Sequence, residues 1–344
     1  MTMRNLILPF ILLLTFVFSC TSNDIDEGLR QKTTSYDVYV AGSENNKASF
    51  WKNNVLNNLA GGDNLNAEKI IVENNNTYIL GNSNGVNPNY YFWKNNTKED
   101  LRVYLGIPTL SPYQILDMAI DNGDNYFIGY YDTFSPTPLR YEFCIWKNGV
   151  KTVLNISNDI IYTSSKINIF NHQTYVSAIT NNISSGFQSG YYVGTTFHSI
   201  PDISWVCNFS QNSTGINFLY IKSGLYYYRN LTTNIETLVS NNNYPNLLEG
   251  KIISETNSSD LYVVGYSHVG NSYFKNNIQT AFPIDPTYSR IKDMFVLDNN
   301  LYTIKHQTSP YSSKIYINNV ETQNITNAST STNNTFNSIY VVQN

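Results

Sequence analysis

The side chains able to do chemistry are few and scattered in this chain. Four histidines are present, His172, His198, His268 and His306. No two stand at i, i+2 or i, i+4, spacings that put two ligands on one metal, and they fall in different repeats. They read as turn and surface residues, unless a central axis gathers them. The carboxylates Asp117, Asp121, Glu142, Asp159, Asp202, Glu255, Asp285 and Asp293 could furnish acid and base for glycoside cleavage, which needs two carboxyls facing across a pocket. Nothing in their linear order pairs any two. Segments 61–68 (GGDNLNAE) and 121–126 (DNGDNY) hold oxygens that suit Ca²⁺. Neither has the Asp-x-Asp-x-Asp-Gly spacing with a distal Glu, so both read as turns. The chain has no Gly-x-Ser-x-Gly elbow, phosphate-binding loop or zinc-protease motif. The expectation is no catalytic residue, no metal site and no cofactor.

Composition narrows the class further. Only 13% of residues are charged while 14% are aromatic, which argues for a packed, strand-rich fold and against disorder. Lys and Arg are dispersed and the formal net charge is −4, so nucleic acid is not an expected partner. Asn is abundant, as in 73–77 (ENNNT) and 240–243 (SNNN). It tolerates positive φ and suits turns, so many turns imply many short elements.

The elements that must position any site follow from a repeated phrase. FWKNN stands at 50–54 and again at 92–96, with IWKNG at 145–149 and YFKNN at 273–277. Asn-Gly and Asn-Asn pairs fit a type I′ hairpin turn, whose two central residues need positive φ. The aromatic before each turn aligns as Trp51, Trp93, Trp146, Tyr192, Tyr228, Phe274 and Tyr316, spaced 36 to 53 residues apart with a mean of about 44. An aromatic-led strand precedes each, such as VYVAG (38–42), TYILG (77–81), NYFIG (125–129) and LYVVG (261–265). Before most of these lies another apolar strand, such as KIIVENNN (69–76) or MFVLDNN (294–300). Each unit is therefore strand, turn, strand, loop, strand, tight turn, strand. Four strands per 40 to 50 residues is the period of a propeller blade. Runs such as YEFCIW (141–146) are apolar on both sides, as a blade packed between two others requires.

The fold expected is all-β: a seven-bladed β-propeller of four-stranded antiparallel blades. Residues 37–59 supply only three strands, and SIYVVQN (338–344) matches the missing first one. The C-terminal strand should thus complete the first blade and leave no open edge.

Residues 1–20, MTMRNLILPFILLLTFVFSC, have Arg4 in a short basic head and an apolar run from Leu6 to Phe18. The run is short for a bilayer span and suits a secretory signal. With Cys20 at its end it resembles a bacterial lipoprotein signal, carried by Val17-Phe18-Ser19-Cys20. That resemblance implies cleavage before Cys20 and lipidation of its sulfur. Leu is the usual residue where Val17 stands, and a small residue where Phe18 stands. The expected division is signal peptide 1–19, lipidated Cys20 and flexible tether over 20–35, and propeller over 36–344. Thr21, with no Asp after the Cys, resembles lipoproteins sent to the outer membrane. Asp24, Asp26 and Glu27 resemble the export signal of surface-displayed ones. Contact with the membrane would be by lipid anchor only. Over 37–344 the chain resembles the repeat-built propeller lipoproteins of bacteria. It lacks the Trp-Asp and Gly-His dipeptides of WD40 repeats and the double glycine of kelch repeats, so no family's partners transfer to it.

Cys144 and Cys207 fall in non-neighbouring blades and are expected to be unpaired, buried thiols. A site should lie where inter-strand segments are longest, on the face shared by the loops between second and third strands and the inter-blade links. There Tyr113, Phe134, Phe187 and Tyr244 are expected to be exposed for stacking on a glycan or packing on an envelope or extracellular protein. The reading favoured is a non-catalytic binding module. A structural or assembly component of an envelope complex and a propeller-type glycan hydrolase or lyase are the alternatives.

Overall fold

The protein is described as a computed structural model over residues 35–85, 87–134, 140–158, 164–182, 186–240, 250–265, 272–281, 288, 290–308, 311–326 and 334–344. Asp37–Val342 form one compact unit. In the other, Met1–Tyr36 with Gln343–Asn344, the Asn344 N–H reaches the Ser35 carbonyl at 2.9 Å. The signal and tether expected over 1–34, Cys20 included, lie outside the described residues.

Blade 1 begins with β1 (Tyr36–Glu44), β2 (Lys47–Lys52) and β3 (Val55–Asp63). Blade 2 is β4 (Leu65–Glu73), β5 (Asn76–Ser83), β6 (Tyr90–Lys94) and β7 (Thr97–Asp100), followed by the single-turn helix α1 (Leu101–Tyr104). Blade 3 is β8 (Tyr113–Asp121), β9 (Asp124–Asp132), β10 (Tyr141–Lys147) and β11 (Val150–Ser157). Blade 4 is β12 (Ile167–Phe170), β13 (Gln173–Asn182), β14 (Gly186–Val193) and β15 (Thr196–Ser199). Blade 5 is β16 (Ile203–Asn212), β17 (Gly215–Lys222), β18 (Leu225–Asn230) and β19 (Ile235–Leu238). Blade 6 is β20 (Gly250–Ser254), β21 (Leu261–Gly265), β22 (Ser272–Lys275) and β23 (Ile278–Ala281). Blade 7 is β24 (Arg290–Leu297), β25 (Asn300–Thr308), β26 (Tyr311–Ile317) and β27 (Val320–Thr326). The last strand, β28 (Thr335–Gln343), takes the innermost place of blade 1, giving the order β28-β1-β2-β3. Seven four-stranded antiparallel blades closed in this way form a β-propeller, as the repeat requires.

The repeated Asn makes the outer hairpins. Asn53 and Asn54 have φ of 50° and 66°, Asn148 and Gly149 49° and 79°, and the other copies match. In five blades the first turn Asn also extends the ladder to the strand behind. The side chains of Asn53, Asn95, Asn148, Asn276 and Asn318 accept the backbone N–H of Val38, Thr77, Asn125, Leu261 and Leu301 at 2.8 to 3.0 Å. Their amide groups reach Asp37, Asn76, Asp124, Asp260 and Asn300. The preceding Lys lies over the second-strand Tyr, as in Lys52 on Tyr39 and Lys147 on Tyr126. The aromatic before it is packing: Trp93 and Trp146 are wholly buried, and their indole N–H groups bond the Ala60 and Leu105 carbonyls. Blade 5 departs from the pattern. Its tight turn, Ser223-Gly224, joins the second and third strands, and Tyr228 stands within β18 rather than next to a hairpin.

Blade-to-blade contact is fixed by a bulge on the innermost strand. Register shifts fall between Ala67 and Lys69, Ile115 and Asp117, and Ile291 and Asp293. Opposite the first two stand Gly81 and Gly129. A β-carbon there would lie 2.2 Å from the carbonyl oxygen of Asn66 or Gln114, so only glycine fits. After each bulge a polar side chain turns to the next blade. Asp117 accepts the Ile167 N–H at 3.1 Å, Asn208 that of Ile252 at 2.8 Å, Asp293 that of Ile339 at 2.8 Å and Ser338 that of Ile70 at 3.4 Å. Lys69 reaches Asp117 at 2.6 Å, and Lys251 likewise binds Asp293. Through β28 the bond of Ile339 seals the last blade to the first, and that of Ile70 ties the first blade to the second.

Candidate functional site

In a meander of this order, the first-to-second and third-to-fourth connections lie at one end of the blade. The second-to-third connections and inter-blade links lie at the other. At that loop end, between blades 4 and 5, opens a cavity of about 350 Å³. Ile179 and Phe187, Gln188 and Ser189 line it from β13 and β14, and Ser199–Ser204 from the link into β16. The Ile200 N–H bonds the Ser189 carbonyl at 2.9 Å and ties the link to β14. Ile200 and Ile203 are buried members of the core beneath, with Val206, Phe209 and Phe218. Phe187 is 67% exposed. Among the described lining residues Asp202 is the one charged side chain, held at φ 64° in the link. The Ser204 hydroxyl donates to the Ile221 carbonyl at 3.1 Å, which leaves its lone pairs for a ligand donor. The site thus combines an apolar floor, an exposed aromatic face and a rim of hydroxyl, amide and carboxylate groups.

Among the other residues expected on this face, Phe134 is 53% exposed at φ 53°, with its N–H bonded to Asp132 at 2.8 Å. Arg140 holds Asp132 from across the loop, so Phe134 caps a clasped turn. Tyr113, expected to be exposed, is instead 8% exposed. Its ring packs edge-on to Tyr90 under the Arg102 guanidinium, and its hydroxyl accepts the Tyr90 N–H, because β8 begins there between blades 2 and 3. Tyr244 lies outside the described residues. Of the three described, only Phe187 lines the cavity.

Among the described residues the chemistry-bearing side chains are engaged locally, in several different blades. His172, in the β12–β13 turn, bonds Asp121 at 2.8 Å, and His198 stacks on Tyr191. These two share blade 4, contrary to the expectation that each histidine falls in a different blade. His306 is buried in β25, and His268 lies outside the described residues. Burial pushes His306 down to about 4, aided by the charges of Lys292 and Arg290. Burial would raise the Asp117 carboxyl, but Lys69, Lys166 and the Ile167 N–H outweigh it and hold it below the usual carboxylate range. Glu142 binds Lys151, and Glu255 accepts the Asn299 N–H. Asp159 and Asp285 lie outside the described residues. Cys144 and Cys207 are buried, and burial lifts the Cys144 thiol to about 12. No group of three His, Cys, Asp or Glu that could hold a metal occurs among the described residues.

The class defined by the fold is the seven-bladed β-propeller. No family model matches the chain, and no curated protein matches it. Among solved structures it is similar to a chain of a nidogen/laminin complex, at 8% identity and a TM-score of 0.46, covering 89% of this chain and 98% of that one. It is also similar to apo AztD from Citrobacter koseri, at 9% identity and 0.45, covering 90% and 99%. A chain from a study of two prolyl endopeptidases matches at 8% and 0.49, covering 76% of this chain and 42% of that one. At such identities no side-chain chemistry passes from them to this protein.

Proposed function

We propose that the protein is a lipid-anchored, extracytoplasmic β-propeller that acts as a non-catalytic binding module, with a glycan as ligand. In this reading a signal over 1–19 is removed, Cys20 carries the lipid, and residues 20–35 tether the propeller to the outer membrane. The observation that carries it is the cavity beside Phe187. An exposed aromatic ring over a half-polar cavity suits the apolar face of a sugar ring. Gln188, Ser189, Ser199, Asp202 and Ser204 offer the hydroxyl partners that fix its orientation. At about 350 Å³ the space sits at the small end of ligand pockets, which span roughly 300–1,000 Å³.

Hydrolysis is disfavoured by the lining itself. Asp202 is the one carboxylate among its described residues, and glycoside cleavage needs a facing pair. A protein ligand, or a role in assembling an envelope complex, would use the same face without filling the cavity. The test is to incubate the protein with a panel of polysaccharides and follow both retention and release of reducing ends. Retention without products supports the reading. Released products overturn it in favour of a hydrolase or lyase, and no retention overturns the glycan in favour of a protein partner.

A further inference from the structure

We infer that the hairpin end of the propeller, opposite the cavity, docks on the lipid surface that holds the tether, with Val55, Val150, Ile235, Ile278 and Val320 entering the interfacial layer. This rests on the lipid-anchor part of the proposed function and goes beyond it by giving the body an orientation. Each of the five residues opens the outermost strand of its blade, directly after the turn from the third strand. All are 61% to 71% exposed. A single exposed aliphatic needs no explanation, but the same register position in five of seven blades does. Blades 5, 6, 7 and 1 carry it in an unbroken arc, blade 3 adds a fifth, and blades 2 and 4 have Thr97 and Thr196.

The chain enters the propeller body within this arc. Asp37, where the body begins, is bonded by Asn53 at 2.7 Å and by Lys52 at 2.7 Å, both at the outer hairpin of blade 1. A tether joined there starts at the apolar rim. Three lysines beside the rim are engaged in ion pairs, Lys52 with Asp37, Lys147 with Asp124 and Lys275 with Asp260, and Lys94 lies over the Tyr78 ring. The surface is therefore apolar points among closed ion pairs, which suits insertion between headgroups rather than attraction to anionic lipid. Sixteen tether residues could extend to about 55 Å, so an anchor alone would leave the body free to tumble. The rim is what would orient it and turn the cavity outward.

The test uses the full chain, lipidated at Cys20 and reconstituted in phosphatidylcholine vesicles. Three single-cysteine variants, Val150→Cys, Ile278→Cys and Phe187→Cys, carry a polarity-sensitive fluorophore, and nitroxide lipids act as quencher. The buried Cys144 and Cys207 do not compete for label. The expected result is quenching several-fold stronger at 150 and 278 than at 187, unchanged by high salt. Adding Val55→Ser, Ile235→Ser and Val320→Ser should remove it without lowering Tm, since these side chains are exposed. Equal quenching at all three positions overturns the docking alone. So does quenching that salt abolishes or that survives the serine substitutions. A chain that does not float with vesicles overturns the anchor reading and the docking with it.

Discussion

Asn148 gives its backbone N–H to the carbonyl of Asn125 at 2.9 Å and takes the Asn125 N–H on its own side-chain oxygen at 3.0 Å. One residue at a turn thereby adds a rung to the ladder between β9 and β10, and the same device recurs in four other blades. Asn148→Ala removes the side-chain rung and the bond to Asp124, and leaves a β-carbon residue at φ 49°. A lost hydrogen bond of about 1 kcal/mol and a left-handed penalty of similar size give a destabilisation of about 2 kcal/mol. Urea unfolding should show a lower midpoint with an unchanged slope.

Closure depends on β28. Beyond the bonds of Ile339 and Ser338, Asn337 donates to the Ala67 carbonyl at 2.9 Å, and the Phe336 ring meets Trp51 at 4.8 Å. Deleting residues 335–344 would expose the inner edge of β1 and the facing sides of blades 7 and 2. The expected product aggregates, because an unpaired buried edge recruits other chains. Size-exclusion chromatography checks this, and a monomer with wild-type melting would contradict it.

Stability should fall in acid in two steps. The His306 pKa lies at about 4, below the ordinary value near 6.5 that it regains on unfolding. Between those values the unfolded chain binds the extra proton, so stability is lost as pH falls from 6.5 towards 4, by on the order of 2–3 kcal/mol. Asp117 is depressed, so its contribution is present above the unfolded carboxyl value and is lost as pH falls through the lower folded one. His306→Gln should flatten the first step of a Tm-against-pH curve and leave the second.

Both described thiols are shut away, and burial lifts that of Cys144 to about 12. In the native protein Cys144 and Cys207 should not react with a thiol reagent at neutral pH, and both should react once denaturant is added. Peptide mapping that finds rapid native labelling at either position would place it at the surface.

Period and turn chemistry are local, so the propeller could be read from Trp146, Asn148, Gly149 and their copies. Closure could be read from SIYVVQN because an apolar strand without neighbours must find a partner. The inner belt also has a signal in the sequence, separate from the repeat. A polar residue, Lys69, Asp117, Lys166, Asn208, Lys251, Asp293 or Ser338, precedes the apolar centre of every first strand. Its role appears only in the fold, where Lys69, Asp117, Asn208 and Asp293 stand at a bulge and reach the next blade. Tyr113 shows the limit of loop reasoning: the strand begins at that residue, so the ring packs between blades. The cavity was not legible, because β14 and the link into β16 meet through a fold-wide register that no single segment encodes.

In the proposed function the cavity between blades 4 and 5 holds a glycan against Phe187. The most direct measurement is calorimetric titration of an oligosaccharide, cut from whichever polysaccharide the protein retains, into wild type, Phe187→Ala and Phe134→Ala. Phe187→Ala should weaken binding about tenfold, the loss of one stacking contact of roughly 1.4 kcal/mol, and Phe134→Ala should leave it unchanged. Wild-type affinity in Phe187→Ala would contradict it.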